Sequence, residues 1–98
     1  MNILYSHEAK IRIRNIRCNL PPKYSESILN EIREGCRRLS DFPDLGYILE
    51  ESGAIPVRVL LVKGYAILYE HDDESVYISA IEPMKSDWIE VFNLNERE

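Results

Sequence analysis

Few residues in this 98-residue chain have types and spacing suited to chemistry. Arg58 is the only charge in the run Val57-Arg58-Val59-Leu60-Leu61-Val62. A cation placed there either snorkels to water from a strand end or faces an anionic ligand or a partner. Asp72, Asp73 and Glu74 are contiguous and could hold a cation weakly, but adjacent carboxylates in a polar turn read first as a solvated hairpin tip. Tyr65 and Tyr69 share one strand face with Ile67, where tyrosines are core or rim residues more often than catalytic ones. Cys18, Cys36, His7 and His71 have no metal-ligand spacing. Both cysteines are expected on helices as small buried hydrophobes, without a disulfide in a reducing compartment. No Gly-rich phosphate loop and no serine in an elbow motif is visible. Neither a metal nor another cofactor is expected.

The elements that would position these residues are clearer than the chemistry. Ile55 to Ile81 holds three runs rich in β-branched and aromatic residues, separated by Lys63-Gly64 and by His71 to Glu74. That pattern predicts a three-stranded antiparallel meander, with Gly64 supplying the positive φ of a tight hairpin. Val57, Val59 and Leu61 point one way and Leu60 and Val62 the other, so the first of these strands is expected to be covered on both faces. Upstream, Asn2-Ile3-Leu4-Tyr5 reads as an opening strand. Ser6 can cap a helix over His7 to Leu20, with Glu8 in its first turn. Ile11 and Ile13 alternate with Arg12 and Arg14 as in a strand, but Ala9, Ile13, Ile16 and Leu20 keep a helical period and decide for helix. That helix places Lys10, Arg14 and Arg17 on one face, either solvated or meeting an acidic partner. Pro21-Pro22 ends it. A second helix runs from about Lys23 to Leu39, with Ile28, Leu29, Ile32, Cys36 and Leu39 inward and Arg33, Arg37 and Arg38 outward. The two should form an antiparallel hairpin.

Pro43 and Gly46 then turn the chain, with Phe42 and Leu45 expected to plug the core beneath. Tyr47 to Ala54 is expected to be a surface connection. After Pro83, Ser86 can cap a short final helix that must bury Trp88 and Phe92. The length suits a single domain over residues 1–98. No run of about 18 apolar residues predicts a membrane span, and no signal-peptide pattern opens the chain, so a cytoplasmic location is expected. Residues 1–40 hold eight Lys/Arg and four Glu, whereas residues 41–98 hold four Lys/Arg and thirteen Asp/Glu. The second part is therefore a poor platform for phosphate backbones. Six tyrosines in so small a chain suggest a recognition surface. The residues alone point to an α+β interaction domain.

Several segments also carry a resemblance. Arg38-Leu39-Ser40-Asp41-Phe42-Pro43-Asp44-Leu45-Gly46 resembles the RL-x-x-FP-x-LG signature of bacterial RelE/ParE toxins, the toxin halves of type II toxin–antitoxin pairs. Val57 to Val62 is similar to that family's VR-x-L-x-V strand and Tyr65 to Tyr69 to its Y-x-I-x-Y strand. Asp72-Asp73 and Val76-Tyr77-Ile78 match its acidic hairpin and V-x-I strand. Lys85-Ser86-Asp87-Trp88 matches a terminal basic-x-Asp-Trp element, and Ser6 to Ala9 is similar to SPEA. The resemblance spans nearly the whole chain in order.

It implies an α+β fold of β-α-α-β-β-β(-α) order, an N-terminal helical hairpin packed on a small, mainly antiparallel sheet. It also implies a cognate antitoxin as partner, with growth inhibition and plasmid stabilisation as biological outcomes. The RelE-like branch cleaves mRNA on the ribosome with basic residues and often a C-terminal Tyr or His. The ParE-like branch poisons DNA gyrase without nuclease chemistry. Against the RelE pattern, Ala66 and Glu70 stand where basic residues are frequent, Pro83-Met84-Lys85-Ser86 replaces HGRR, and Val91-Phe92 stand at the place of a catalytic Tyr. Only Arg58 and Lys85 match basic positions and are the catalytic candidates. Arg58, Lys63, Tyr65, Tyr69, Lys85 and Trp88 are candidates for target binding, with Arg58 and Lys85 expected within reach of one surface region. Lys10, Arg14, Arg17, Arg37, Tyr77 and Phe92 are candidates for antitoxin binding. The expectation is a ParE-like growth inhibitor that binds a protein target such as gyrase. A ribosome-dependent mRNA endonuclease and an inactive toxin-fold binding module are the alternatives.

Overall fold

A computed structural model describes residues 1–50 and 55–84. Chain order is β1 (Asn2–Tyr5), α1 (His7–Asn19), α2 (Pro22–Asp41), β2 (Tyr47–Glu50), β3 (Val57–Val62), β4 (Tyr65–His71) and β5 (Ser75–Pro83). The strands form one sheet in the order β1-β5-β4-β3-β2. β1 runs parallel to β5, with Asn2 opposite Ser75 and Tyr5 opposite Ile78. The other neighbours are antiparallel. The expected meander is thus β3-β4-β5, and the opening strand returns beside its last member.

Local chemistry explains the boundaries. The Ser6 hydroxyl accepts the Ala9 amide at 3.0 Å and donates to the Ser79 carbonyl at 2.7 Å, so one side chain caps α1 and ties it to β5. Pro21 sits at the N-cap of α2 and Pro22 in its first turn, where a missing N–H costs nothing. At Lys63-Gly64 the φ angles are 47° and 83°, as a tight two-residue hairpin requires. In the next turn one Asp72 carboxylate oxygen accepts the Glu74 and Ser75 amides, each at 2.8 Å.

Both helices lie on one face of the sheet. Ala9, Ile16, Leu29, Ile32, Cys36 and Leu39 meet Val62, Ile67, Tyr69, Val76, Ile78 and Ile81 in the core. The helical period therefore outweighs the local alternation at Ile11 to Arg14, and Ile11 is left exposed. Gly35 lets α2 lie close against β3: a Cβ there would stand 2.9 Å from a Val62 methyl. Arg12 fastens α1 to β5, donating from Nε to the Ile81 carbonyl at 2.9 Å and pairing with Glu82 at 3.2 Å.

Four expectations need correction. Tyr47 to Ala54 is not simply a surface connection, because Tyr47–Glu50 is a strand paired with β3 through an irregular register. Phe42 and Leu45 do not plug the core: they are 65% and 47% exposed. The space beneath their turn is filled by the Tyr69 ring, on which the Gly46 backbone rests. Cys18 is exposed, since it lies on the α1 face opposite Ile16, whereas Cys36 is buried as expected. β3 is covered unevenly on the side away from the helices, where Val59 is buried and Leu61 exposed. The expected final helix lies outside the described residues.

Candidate functional site

The cross-strand register puts Arg58 opposite Tyr69 on the helix-facing side of the sheet. Both side chains reach the loop that joins α2 to β2. The Arg58 guanidinium donates to the carbonyls of Asp44 at 3.3 Å and Gly46 at 3.1 Å, and pairs with the Asp44 carboxylate at 3.3 Å. The Tyr69 hydroxyl donates to the Pro43 carbonyl at 2.7 Å and accepts the Gly46 amide at 2.9 Å. His71, two residues along β4, places Nε2 2.7 Å from the same Asp44 carboxylate oxygen. Three strand side chains thus grip Pro43, Asp44 and Gly46.

This arrangement decides what Arg58 can do. Only 16% of its side chain is exposed, and its donors are directed at two carbonyls and a carboxylate of its own chain. The Tyr69 hydroxyl is likewise engaged on both sides, and burial pushes its pKa up. His71 has Asp44 on one ring nitrogen and the Asp72 carbonyl 3.3 Å from the other. The cluster is a clamp, in which each side chain is engaged with the loop or with the neighbouring turn.

The clamp and the neighbouring turn make folding pH-dependent. The Asp44 carboxyl is held below its ordinary value of 3.8, first by the hydrogen bond from His71 and then by Arg58. Asp72 is held low by the Glu74 and Ser75 amides, with the Tyr77 hydroxyl adding a further bond at 3.1 Å. A carboxyl whose folded-state pKa is depressed contributes stability that is complete above its unfolded-state value. That contribution disappears as pH falls through the folded value. Denaturant midpoints should therefore drop as pH is lowered from 5 through the carboxylate range, and Asp44→Asn and Asp72→Asn should each flatten that decline. An unchanged slope in both variants would show that these carboxylates are not coupled to folding.

The remaining candidates are dispersed. Lys63 is exposed in the β3–β4 turn, five strand positions from Arg58, or about 16 Å along the strand. Tyr65 is half-buried against the core, and Tyr69 is fully buried, which withdraws it from any target-binding surface. Tyr77 is exposed on the sheet face away from the helices. Lys10, Arg14 and Arg17 are exposed along α1 with no ion-pair partner among the described residues. Arg37 is already paired with Glu34 and Asp41. Lys85, Trp88 and Phe92 lie outside the described residues, so the expected meeting of Arg58 and Lys85 does too. Asp72 to Glu74 act as a turn, and the described residues contain no cluster of metal-ligating groups. Sequence reading missed Asp44 and His71. The available signal was the FP-x-LG segment, whose Pro43 and Gly46 offer the backbone groups that the clamp holds.

Comparison with known proteins agrees with this architecture. A solved structure titled "Chromosomal ParDE TA system from P. aeruginosa" superposes with a TM-score of 0.65 at 15% identity, covering 87% of this chain and 97% of that one. No curated protein matches the chain. The two-helix layer on a mixed five-stranded sheet, with the signature segments in order, defines a toxin of the RelE/ParE superfamily. The model of the ParE toxin of the type II toxin–antitoxin system, parDE, matches residues 3–88. The chain belongs to this ParE toxin family.

Proposed function

We propose that this ParE-family toxin inhibits growth by binding a protein target of the DNA gyrase class, and that a cognate antitoxin neutralises it. The observation that carries this reading is the engagement of Arg58. Cleavage of RNA requires cations that stabilise a developing phosphorane charge, together with a proton donor and acceptor. The retained basic position in β3 is directed at Asp44 and Gly46 instead. Ala66, at a position where the nuclease branch often has Arg, is fully enclosed. Binding a protein target makes no such demand. In a supercoiling assay the purified chain should inhibit gyrase, and in a primer-extension assay with ribosomes it should leave mRNA uncut. Codon-positioned cuts, or gyrase untouched at saturating protein, would each refute the proposal.

The antitoxin is expected to join by extended apolar contact, with an acidic stretch along the Lys10, Arg14 and Arg17 face of α1. Apolar burial supplies most of such affinity, whereas charge mainly steers encounter. The complex should therefore survive about 0.5 M salt, where the Debye length is only a few Å. Replacing Lys10, Arg14 and Arg17 together by Glu should slow association by on the order of tenfold at low salt and barely change dissociation. Stopped-flow mixing would separate the two rates.

A further inference from the structure

The loop that the clamp holds carries two side chains that the clamp does not use. The Leu45 amide donates to the Phe42 carbonyl at 3.1 Å, so Phe42, Pro43, Asp44 and Leu45 form a closed β-turn. Its polar groups are accounted for. The Pro43 carbonyl accepts the Tyr69 hydroxyl, the Asp44 carbonyl accepts Arg58, and the Asp44 carboxylate meets Arg58 and His71. The Phe42 amide completes α2 by donating to the Arg38 carbonyl at 2.8 Å. The apolar side chains at the two ends of the turn have no such duty: Phe42 and Leu45 are both exposed. Closing the turn brings their Cα atoms within about 7 Å of each other, so they form one projection and not two scattered residues. Burying them inside the chain would gain stability, but the enclosed Tyr69 ring already fills the space beneath.

Shape and charge define what fits. The turn is held from below by three strand side chains, so little ordering cost falls due when a partner binds. A pre-positioned aromatic seated in a desolvated pocket is the kind of contact that carries most of the energy of an interface. A projecting pair is enclosed only by a concavity, which a folded partner offers and a flat extended segment does not. Arg38 stands one helical turn before Phe42, exposed and without an ion-pair partner among the described residues. Glu34, one turn further back, is held by Arg37 at 2.6 Å. The acids beside the projection are already paired, Asp41 with Arg37 and Asp44 with Arg58. The charge offered next to the apolar pair is therefore positive, in a chain whose net charge is −5. An isologous contact between two copies would set one Arg38 rim against another. We propose that Phe42, Leu45 and Arg38 are the anchor by which this chain grips its protein target, and that the target offers an apolar pocket rimmed by Asp or Glu. The proposal rests on the reading of the chain as an inhibitor of a gyrase-class protein and assigns the surface that does it. That surface lies on a different element from the α1 face given to the antitoxin.

The test titrates the full chain and its variants against purified gyrase, reading binding by calorimetry and inhibition by supercoiling. Phe42→Ser and Arg38→Glu should each weaken both at least tenfold, and Phe42→Ser with Leu45→Ser should abolish them. Tyr24→Ser removes another exposed aromatic, at the opposite end of α2, and should leave both unchanged. Because the replaced side chains are exposed, denaturant midpoints should not move, which separates lost recognition from lost folding. A wild-type chain without effect on gyrase would refute the gyrase reading and this assignment with it. A wild-type chain that inhibits, with Phe42→Ser and Arg38→Glu inhibiting equally well, would overturn the assignment alone. Variants that still inhibit gyrase but no longer bind the antitoxin would give the surface to the antitoxin and overturn it too. So would a chain that sediments as a dimer and becomes monomeric on Phe42→Ser, because the occupant would then be a second copy.

Discussion

Truncation of Tyr69 to alanine is expected to remove about 3–5 kcal/mol of folding stability, as for other large buried aromatics. Tyr69 is fully enclosed and, among the described residues, is the largest of the fully buried side chains. Its ring supports the α2–β2 loop from below, and its hydroxyl satisfies one acceptor and one donor there. Domains hold only about 5–15 kcal/mol in total, so the alanine variant should be largely unfolded on warming to growth temperature. Tyr69→Phe isolates the polar part. It keeps the ring but leaves the Pro43 carbonyl and the Gly46 amide without their partner, at a cost of about 1–3 kcal/mol. Denaturant titration of both variants checks the division. Equal losses would mean that the ring contributes little, which its complete burial contradicts.

Gly46→Ala should be nearly as damaging, through contact alone. An added Cβ would stand 2.6 Å from the Val59 carbonyl oxygen and 2.8 Å from both the Tyr69 hydroxyl and a ring carbon. One neighbour is backbone of β3, paired on both sides, and the other is the enclosed tyrosine, so neither can yield cheaply. Overpacking of this kind costs about 1–3 kcal/mol, and more where nothing moves. Gly35 supplies the comparison. There the nearest atom is a side-chain methyl of Val62 at 2.9 Å, and alanine regains about 1 kcal/mol of helix propensity. Gly35→Ala should therefore be close to neutral while Gly46→Ala is not. In a Tyr69→Ala background the cost of Gly46→Ala should shrink, because part of the clash is gone, giving a coupling of about 0.5–3 kcal/mol.

These predictions concern residues whose importance was only partly legible in the sequence. Where structure follows from local period it was readable: the α1 and α2 stripes, the Lys63-Gly64 hairpin and the meander are all present. β2 was not readable, because four residues of Tyr-Ile-Leu-Glu between a glycine turn and Ser52-Gly53 carry no measurable period. What makes them a strand is β3, remote in sequence. Phe42 and Leu45 misled for a related reason. Apolar residues after a helix are assigned inward by default, yet the interior below them was already occupied by a tyrosine more than twenty positions away. For the site, spacing singled out Arg58 as the one charge in its run, read as snorkelling to water or as facing an anionic ligand or a partner. It could not say that Arg58 holds Asp44 and Gly46, since that depends on cross-strand register and on where a loop lands.

The parallel pairing of β1 with β5 governs when the fold can be completed. Ser6 meets Ser79 across 73 positions, and Asn2 to Tyr5 find their ladder only once Ser75 to Ile78 exist. Closing a loop of about 70 residues costs on the order of 4 kcal/mol in chain entropy before the contacts repay it. The helical hairpin and the β3–β4 turn are local and can form early. The first strand must wait. At about 5–20 residues per second, several seconds of synthesis pass between the emergence of β1 and that of its partner. Throughout that interval the nascent chain exposes Ile3, Tyr5 and the inward faces of both helices. A partner that captures those surfaces during translation would meet the protein before its sheet is sealed.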